Sequence, residues 1–407
     1  MNRAMLVLMV LAAAGCTNDS RPTPPVKNSA AENRPAEPAN PPPVTTSAPA
    51  EPPVEPFEKP VRELYGQRFA VETVATGLSR PWAMDWLDDG RLVFTQLGGD
   101  LSIVESGSVR RLHHFDEVQP LGDGGLMGLA VSPTFSRDGL IYVSYTGLAG
   151  NERRNIIARC RLTPDASPDA KGDGPAVTQT RVLLNAVPAG EVHNGLPLRF
   201  GPDGMLWALT GDAGLGGRAL PRTELGGKLL RMTPDGQVPR ENPFQYSLVW
   251  TLGHRNGLGF DWHGVTGELY ATEQSPTDME FLINKNDGLY HIQKGKTYNA
   301  SATNGAIRPR PESPIHVWEE PVGPAGAVFY RGDAFPAWRN RLFVATRSGQ
   351  ALYCVTIDDD PATVTDVIAI LHKEFGRLRA VAVGPDGFVY IATANDQDDR
   401  IIRLVPE

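Results

Sequence analysis

The chain has 407 residues, 41% of them hydrophobic and 21% charged, with a formal net charge of -8. That much apolar mass builds a large core and excludes disorder as the main state. The acidic balance, with a sequence pI of about 5.6, gives no basic field to attract a phosphate backbone, so nucleic acid is not an expected partner.

The chain begins MNRAMLVLMVLAAAGC, in which Arg3 supplies a positive start and Met5 to Ala14 an apolar run too short to span a bilayer comfortably. Ala13-Ala14-Gly15-Cys16 resembles the lipobox of bacterial lipoproteins. That implies removal of residues 1–15 and lipid attachment to Cys16. A plain secretory signal is the alternative. Asn18 rather than Asp follows Thr17, so nothing argues for retention at the inner membrane, and an outer-membrane anchor facing the periplasm is expected.

Residues 16–60 contain NRPAEPANPPPVTTSAPAEPPVEP, which has too many prolines for a helix or central strand and almost nothing apolar. This segment is expected to be an extended, solvated tether. Residues 61–407 carry the folded domain. Cys160 in IIARCRL and Cys354 in ALYCVTI sit in apolar, strand-like runs and are expected to be buried thiols, although a disulfide is open to an exported protein.

From Val61 onward no long 3.6-residue periodicity appears; short runs of Val, Ile, Leu, Phe and Tyr alternate with Gly, Pro and Asp, which is an all-β pattern. One unit recurs, an apolar stretch, a turn and a strand shaped like LYAT: AMDWLDDGRLVFT, LAVSPTFSRDGLIYVSY, LRFGPDGMLWALT, LGFDWHGVTGELYAT, FYRGDAFPAWRNRLFVAT and VAVGPDGFVYIAT. Copies spaced about 46 to 71 residues apart leave room for a four-stranded antiparallel blade each, so a six-bladed β-propeller is predicted. The pairs Asp89-Gly90, Asp203-Gly204 and Asp386-Gly387 are read as tight turns of the scaffold.

A propeller carries its chemistry where loops from different blades converge at one end of the channel. The polar residues flanking the repeat strands are Asp123, His193, Asp212, Arg255, Asn256, Arg377 and Arg379. His193 alone is open to a structural reading as much as to a catalytic one. Three arginines beside a histidine, at matching ends of blades, suit an anionic planar ligand.

At these residues the chain resembles the soluble, pyrroloquinoline quinone (PQQ) dependent glucose/sorbosone and aldose sugar dehydrogenases, a six-bladed propeller family. RPWAMDWLDDGRLVFT, GGLMGLAVSPTF, GGKLLRMTPDG, GHRNGLGF, GDAFPAWRNRLFVAT and RLRAVAVGPDG carry the likeness in the family's order. The resemblance implies that His193 is the general base in oxidation of an aldose at C1 to the lactone, that Asp212 orients its imidazole, and that Arg255 faces the quinone. It further implies cofactor contacts from Asp123, Arg255, Asn256, Arg377 and Arg379. Calcium is implied at the turn Glu273-Gln274-Ser275-Pro276, with a second site at Glu280 and Tyr290; an electron acceptor of unknown identity completes the expected partners.

The chain departs from the family in several places. Pro197 stands where an arginine is usual, Val192 where a polar residue precedes the histidine, and Asp123 where Gln or Glu is common. Where some members place a lysine this chain has Ser348, with Arg347 next to it, and Leu289-Tyr290-His291-Ile292 replaces Asn-Tyr-Gly-Trp. Two other classes stay open: a non-catalytic envelope-binding propeller, and a metal-dependent lactonase, which would need carboxylates in the channel where this chain has arginines.

Overall fold

The computed structural model describes residues 62–163, 176–274, 286–298 and 311–407. The expected signal, tether and Cys16 lie outside them, as do Ser275, Pro276 and Glu280 of the implied calcium sites. Among the described residues the strands form six antiparallel sheets, five of four strands and one of five. These are the six blades of a β-propeller.

Each recurrent sequence unit is the inner hairpin of one blade. The innermost strands are Pro81–Trp86, Leu126–Val131, Gly195–Phe200, Gly257–Trp262, Pro324–Phe329 and Leu378–Val383, and each pairs with the strand that follows it. The second strands read as unbroken apolar runs rather than alternating ones because neighbouring blades cover both of their faces. Leu206–Thr210, Leu342–Thr346 and Val389–Thr393 are buried at every position. The outermost strands Ser108–His114 and Val364–Ile370 are mostly exposed or half-buried.

The Thr that ends the LYAT pattern is also explained. Thr95, Thr210, Thr272, Thr346 and Thr393 are fully buried, so each hydroxyl must find an acceptor. Thr95 Oγ1 donates to the Met127 carbonyl at 2.7 Å and Thr272 Oγ1 to the Ala325 carbonyl at 3.1 Å, each bonding to the innermost strand of the next blade. Ser144 Oγ does the same to the Leu196 carbonyl at 2.7 Å. At the other end of the innermost strands Asp85 accepts from the Val131 N–H, and Asp261 from the Phe329 N–H, both at 2.7 Å. Side chains thus bolt blade to blade at both ends of the channel.

The Asp-Gly pairs are turns, as expected. Gly90, Gly204 and Gly387 have φ of 85°, 72° and 78°, the left-handed region where a side chain is strained. The preceding aspartates accept the N–H two residues on, at 3.0 Å from Arg91 and Met205 and 3.1 Å from Phe388. The ring closes in blade 6, where the early strand Gln67–Leu78 pairs with the last strand, Asp399–Pro406. Cys160 and Cys354 are buried free thiols, and burial raises them to about 11 and about 12.

Candidate active site

Every innermost strand starts at the same end of the channel, so the residues around the start of each innermost strand and those just past the end of each second strand converge there. This rule collects His193 and Asp212 from blade 3, Asn256 and Gln274 from blade 4, Arg347 from blade 5, and Arg377, Arg379 and Asp396 from blade 6. All of these except Asp212 line one cavity of about 610 Å³. The opposite mouth holds a larger cavity of about 710 Å³. Its arginines are already spent, because Arg199 and Arg331 both end on Asp261, at 3.3 and 3.0 Å. A narrow throat of about 60 Å³, walled by Leu198, Leu258, Ala327 and Ala380 among others, lies between the two mouths.

His193 Nδ1 donates to Asp212 Oδ1 at 3.0 Å, and the same oxygen accepts the Gly214 N–H at 2.9 Å. Asp212 is buried, while the His193 side chain keeps 19% of its surface at the cavity wall. With Nδ1 committed, Nε2 has no partner among the described residues. The backbone at His193 is left-handed, with φ of 58°. Asp123 holds it there: its Oδ2 accepts the His193 N–H at 2.7 Å and its Oδ1 accepts the Asn194 N–H at 3.3 Å and the Asn194 amide. Asp123 lines the cavity, but these three donors claim both of its oxygens.

The cations divide into paired and unpaired. Arg377 binds the Asp396 carboxylate, and Arg80 donates to the Gly122 carbonyl at 3.2 Å. Arg379 is only 7% exposed and stacks its guanidinium over the Trp82 ring, 4.2 Å from the centroid. Among the described residues neither Arg379 nor Arg347 has a hydrogen-bond acceptor or ion-pair partner for its side chain. Burial, with the Arg347 and Arg80 charges nearby, pushes Arg379 down to about 9. Arg347 is lowered by burial and then by Arg377. Two further buried atoms on the same wall also lack partners, the donor Trp82 Nε1 and the acceptor Asn256 Oδ1. Unsatisfied buried groups are costly, and here the residues that carry them border one cavity.

Arg255 does not line this cavity. It stands behind Gln274, donating to that residue's carbonyl at 3.2 Å, and burial lowers its pKa. Tyr290 sits in the core of blade 4, its ring edge-on to Tyr298 at 5.8 Å. Arg80, Trp82 and Gln274 were not singled out from the sequence. The positional rule that found His193 and Arg377 would have found them, since SRPW opens the innermost strand of blade 1 and Gln274 follows LYATE.

At one channel mouth of this propeller a carboxylate-held histidine meets guanidiniums that have no partner among the described residues, those of buried Arg379 and half-buried Arg347. The glucose/sorbosone dehydrogenase family model matches residues 78–403, and the chain belongs to that family of oxidoreductases. Aldose sugar dehydrogenase YliI of Escherichia coli is 27% identical over 361 residues, covering 83% of this chain and 92% of its own. The PQQ-bound structure of an aldose sugar dehydrogenase from Streptomyces coelicolor superposes with a TM-score of 0.71 at 30% identity, over 86% of this chain and all of that one. The apo-form structure of the soluble Escherichia coli aldose sugar dehydrogenase gives 0.73 at 25% identity, over 83% of this chain and all of that one.

Proposed function

We propose that this protein oxidises an aldose at C1 to the lactone with PQQ as cofactor. The observation that carries the reading is the pair of guanidiniums of buried Arg379 and half-buried Arg347, left without acceptors among the described residues beside the free Nε2 of His193. PQQ is a planar tricarboxylate, and a guanidinium fork matches a carboxylate better than a point charge does. Arg379, Arg377 and Arg347 would hold its carboxylates, with Trp82 Nε1 and Asn256 Oδ1 offering the remaining polar contacts. When bound, the quinone supplies an acceptor for the hydride that leaves C1. His193 Nε2 takes the C1 hydroxyl proton, and Asp212 fixes the tautomer and steadies the imidazolium that forms. Arg255 adds a cation behind the wall at Gln274.

The test is an assay of the chain freed of its lipid signal, loaded with PQQ and calcium and offered an aldose panel with an artificial electron acceptor. His193→Gln should cut turnover by roughly 10²–10⁴-fold while PQQ affinity stays near wild type. A variant that oxidises aldoses at the wild-type rate would remove His193 from the role of base.

Calcium is proposed on the resemblance alone. If it belongs to the site, chelation should weaken PQQ binding and added calcium should restore it; affinity indifferent to chelation would drop calcium from the account. We propose lipid anchoring through Cys16 on the sequence signal. The protein should partition with membranes, and Cys16→Ser behind a working secretory signal should release it. Wild-type protein found wholly in the soluble periplasmic fraction would contradict this.

A further inference from the structure

We propose that Glu273 and His254 are positioning residues that hold the turn Arg255–Asn256 in place; this rests on the cofactor reading above. Neither side chain lines the cavity. Both are 0% exposed, and Glu273 Oε1 accepts from His254 Nδ1 at 2.7 Å. The other oxygen, Oε2, accepts the backbone N–H of Arg255 and of Asn256, each at 3.2 Å. His254 is fixed in turn: its Nε2 shares a 2.7 Å hydrogen bond with the Thr251 hydroxyl, and its ring stacks on Tyr298 at 5.3 Å and 19°. A single buried carboxylate therefore gathers three donors from three consecutive residues.

The turn it gathers reaches the site in two directions. Asn256 sends its amide to Gln274 Oε1 at 2.9 Å and leaves its own Oδ1 unpaired in the cavity wall. The Arg255 carbonyl accepts the Asp212 N–H at 2.8 Å, and Asp212 is the partner of His193. Glu273 thus acts on the cofactor wall through Asn256 and on the histidine through Asp212, without touching either space. A glutamine at this place keeps the shape but either turns an amide N–H against a donor or forces His254 into its other tautomer, and it loses the charge that makes such bonds strong.

The experiment uses the calcium-treated protein and two readouts, PQQ titration by calorimetry and hydrogen exchange of the 253–258 segment measured without cofactor. Glu273→Gln should weaken PQQ binding roughly tenfold or more and speed exchange at residues 255 and 256. His254→Leu should do the same. His254→Asn, which keeps a donor directed at Glu273, should restore most of the affinity, a rescue that general loss of packing would not give. A folded Glu273→Gln or His254→Leu with wild-type affinity and wild-type exchange overturns the inference. Wild-type protein that binds no PQQ overturns the cofactor reading, and with it the role of this turn in binding, so the two failures are distinguishable.

Discussion

His193 was legible in the sequence as a candidate and Asp212 as its partner, but the means of holding the histidine was not. A left-handed φ at a non-glycine residue costs of order 1 kcal/mol and persists only where its surroundings impose it. Asp123 imposes it, seventy residues away in sequence, by accepting the His193 and Asn194 N–H groups. The resemblance assigned Asp123 to the cofactor; its three bonds to His193 and Asn194 suit a positioning task as well. Asp123→Ala should therefore lower turnover by roughly tenfold or more, the orphaned N–H groups releasing the histidine, while PQQ affinity changes little. The opposite split, lost affinity with normal turnover in the loaded enzyme, would return Asp123 to the cofactor. Arg347 shows the same limit of sequence reading: its place in the cavity wall without a partner among the described residues decides its importance, and neither property is written in RSGQ.

Among the elements, the inner hairpins were readable because burial on both faces forces continuous apolar runs and the ends need a hydroxyl. The bolts between blades were hidden, since the acceptors of the Thr95 and Thr272 hydroxyls lie in the next repeat, whereas Thr210, Thr346 and Thr393 bond within their own blade. Thr272→Val keeps the shape and orphans part of the Ala325 carbonyl's bonding, so it should cost about 1–2 kcal/mol in denaturant unfolding. An unchanged midpoint would show the bolt to be idle. The loop after Leu206–Thr210 has its own device in Lys228, fully buried, with Nζ donating to the Arg218 and Gly226 carbonyls at 2.8 and 2.6 Å. A neutral amine still makes both bonds, and burial pushes the ammonium down to about 7 from the usual 10.5. The unfolded chain thus binds the extra proton between those values, and stability rises with pH from about 7 to about 10.5, the gain being lost as pH falls from 10.5 to about 7. Thermal midpoints should climb more steeply with pH across that range for wild type than for Lys228→Met. Parallel slopes would contradict the assignment.

For the whole molecule, six repeats predicted a ring, yet the strand that closes it carries no repeat signature. Gln67–Leu78 reads as a stray strand after the proline-rich segment until its pairing with Asp399–Pro406 is seen. Its Phe69 is fully buried and meets Trp338 edge-on at 5.5 Å, packing the closing strand onto blade 5. Trp338→Ala should cost roughly 3–5 kcal/mol, and truncation to residue 79 should cost the ring its cooperative unfolding. A single, wild-type-like transition in the truncated chain would show closure to be dispensable. A molecule of net charge -8 places four arginines at one channel mouth and leaves two of them without a partner among the described residues.

The most direct test is calorimetric titration of PQQ, with calcium present, into wild type and Arg379→Gln. Arg379 is chosen because it is the most buried of the unpaired cations. The account predicts saturable one-site binding by wild type and a dissociation constant roughly 10- to 150-fold weaker in the variant, the loss of one charge-assisted contact. No binding by wild type at tens of micromolar cofactor, or equal affinity in the two proteins, would contradict it.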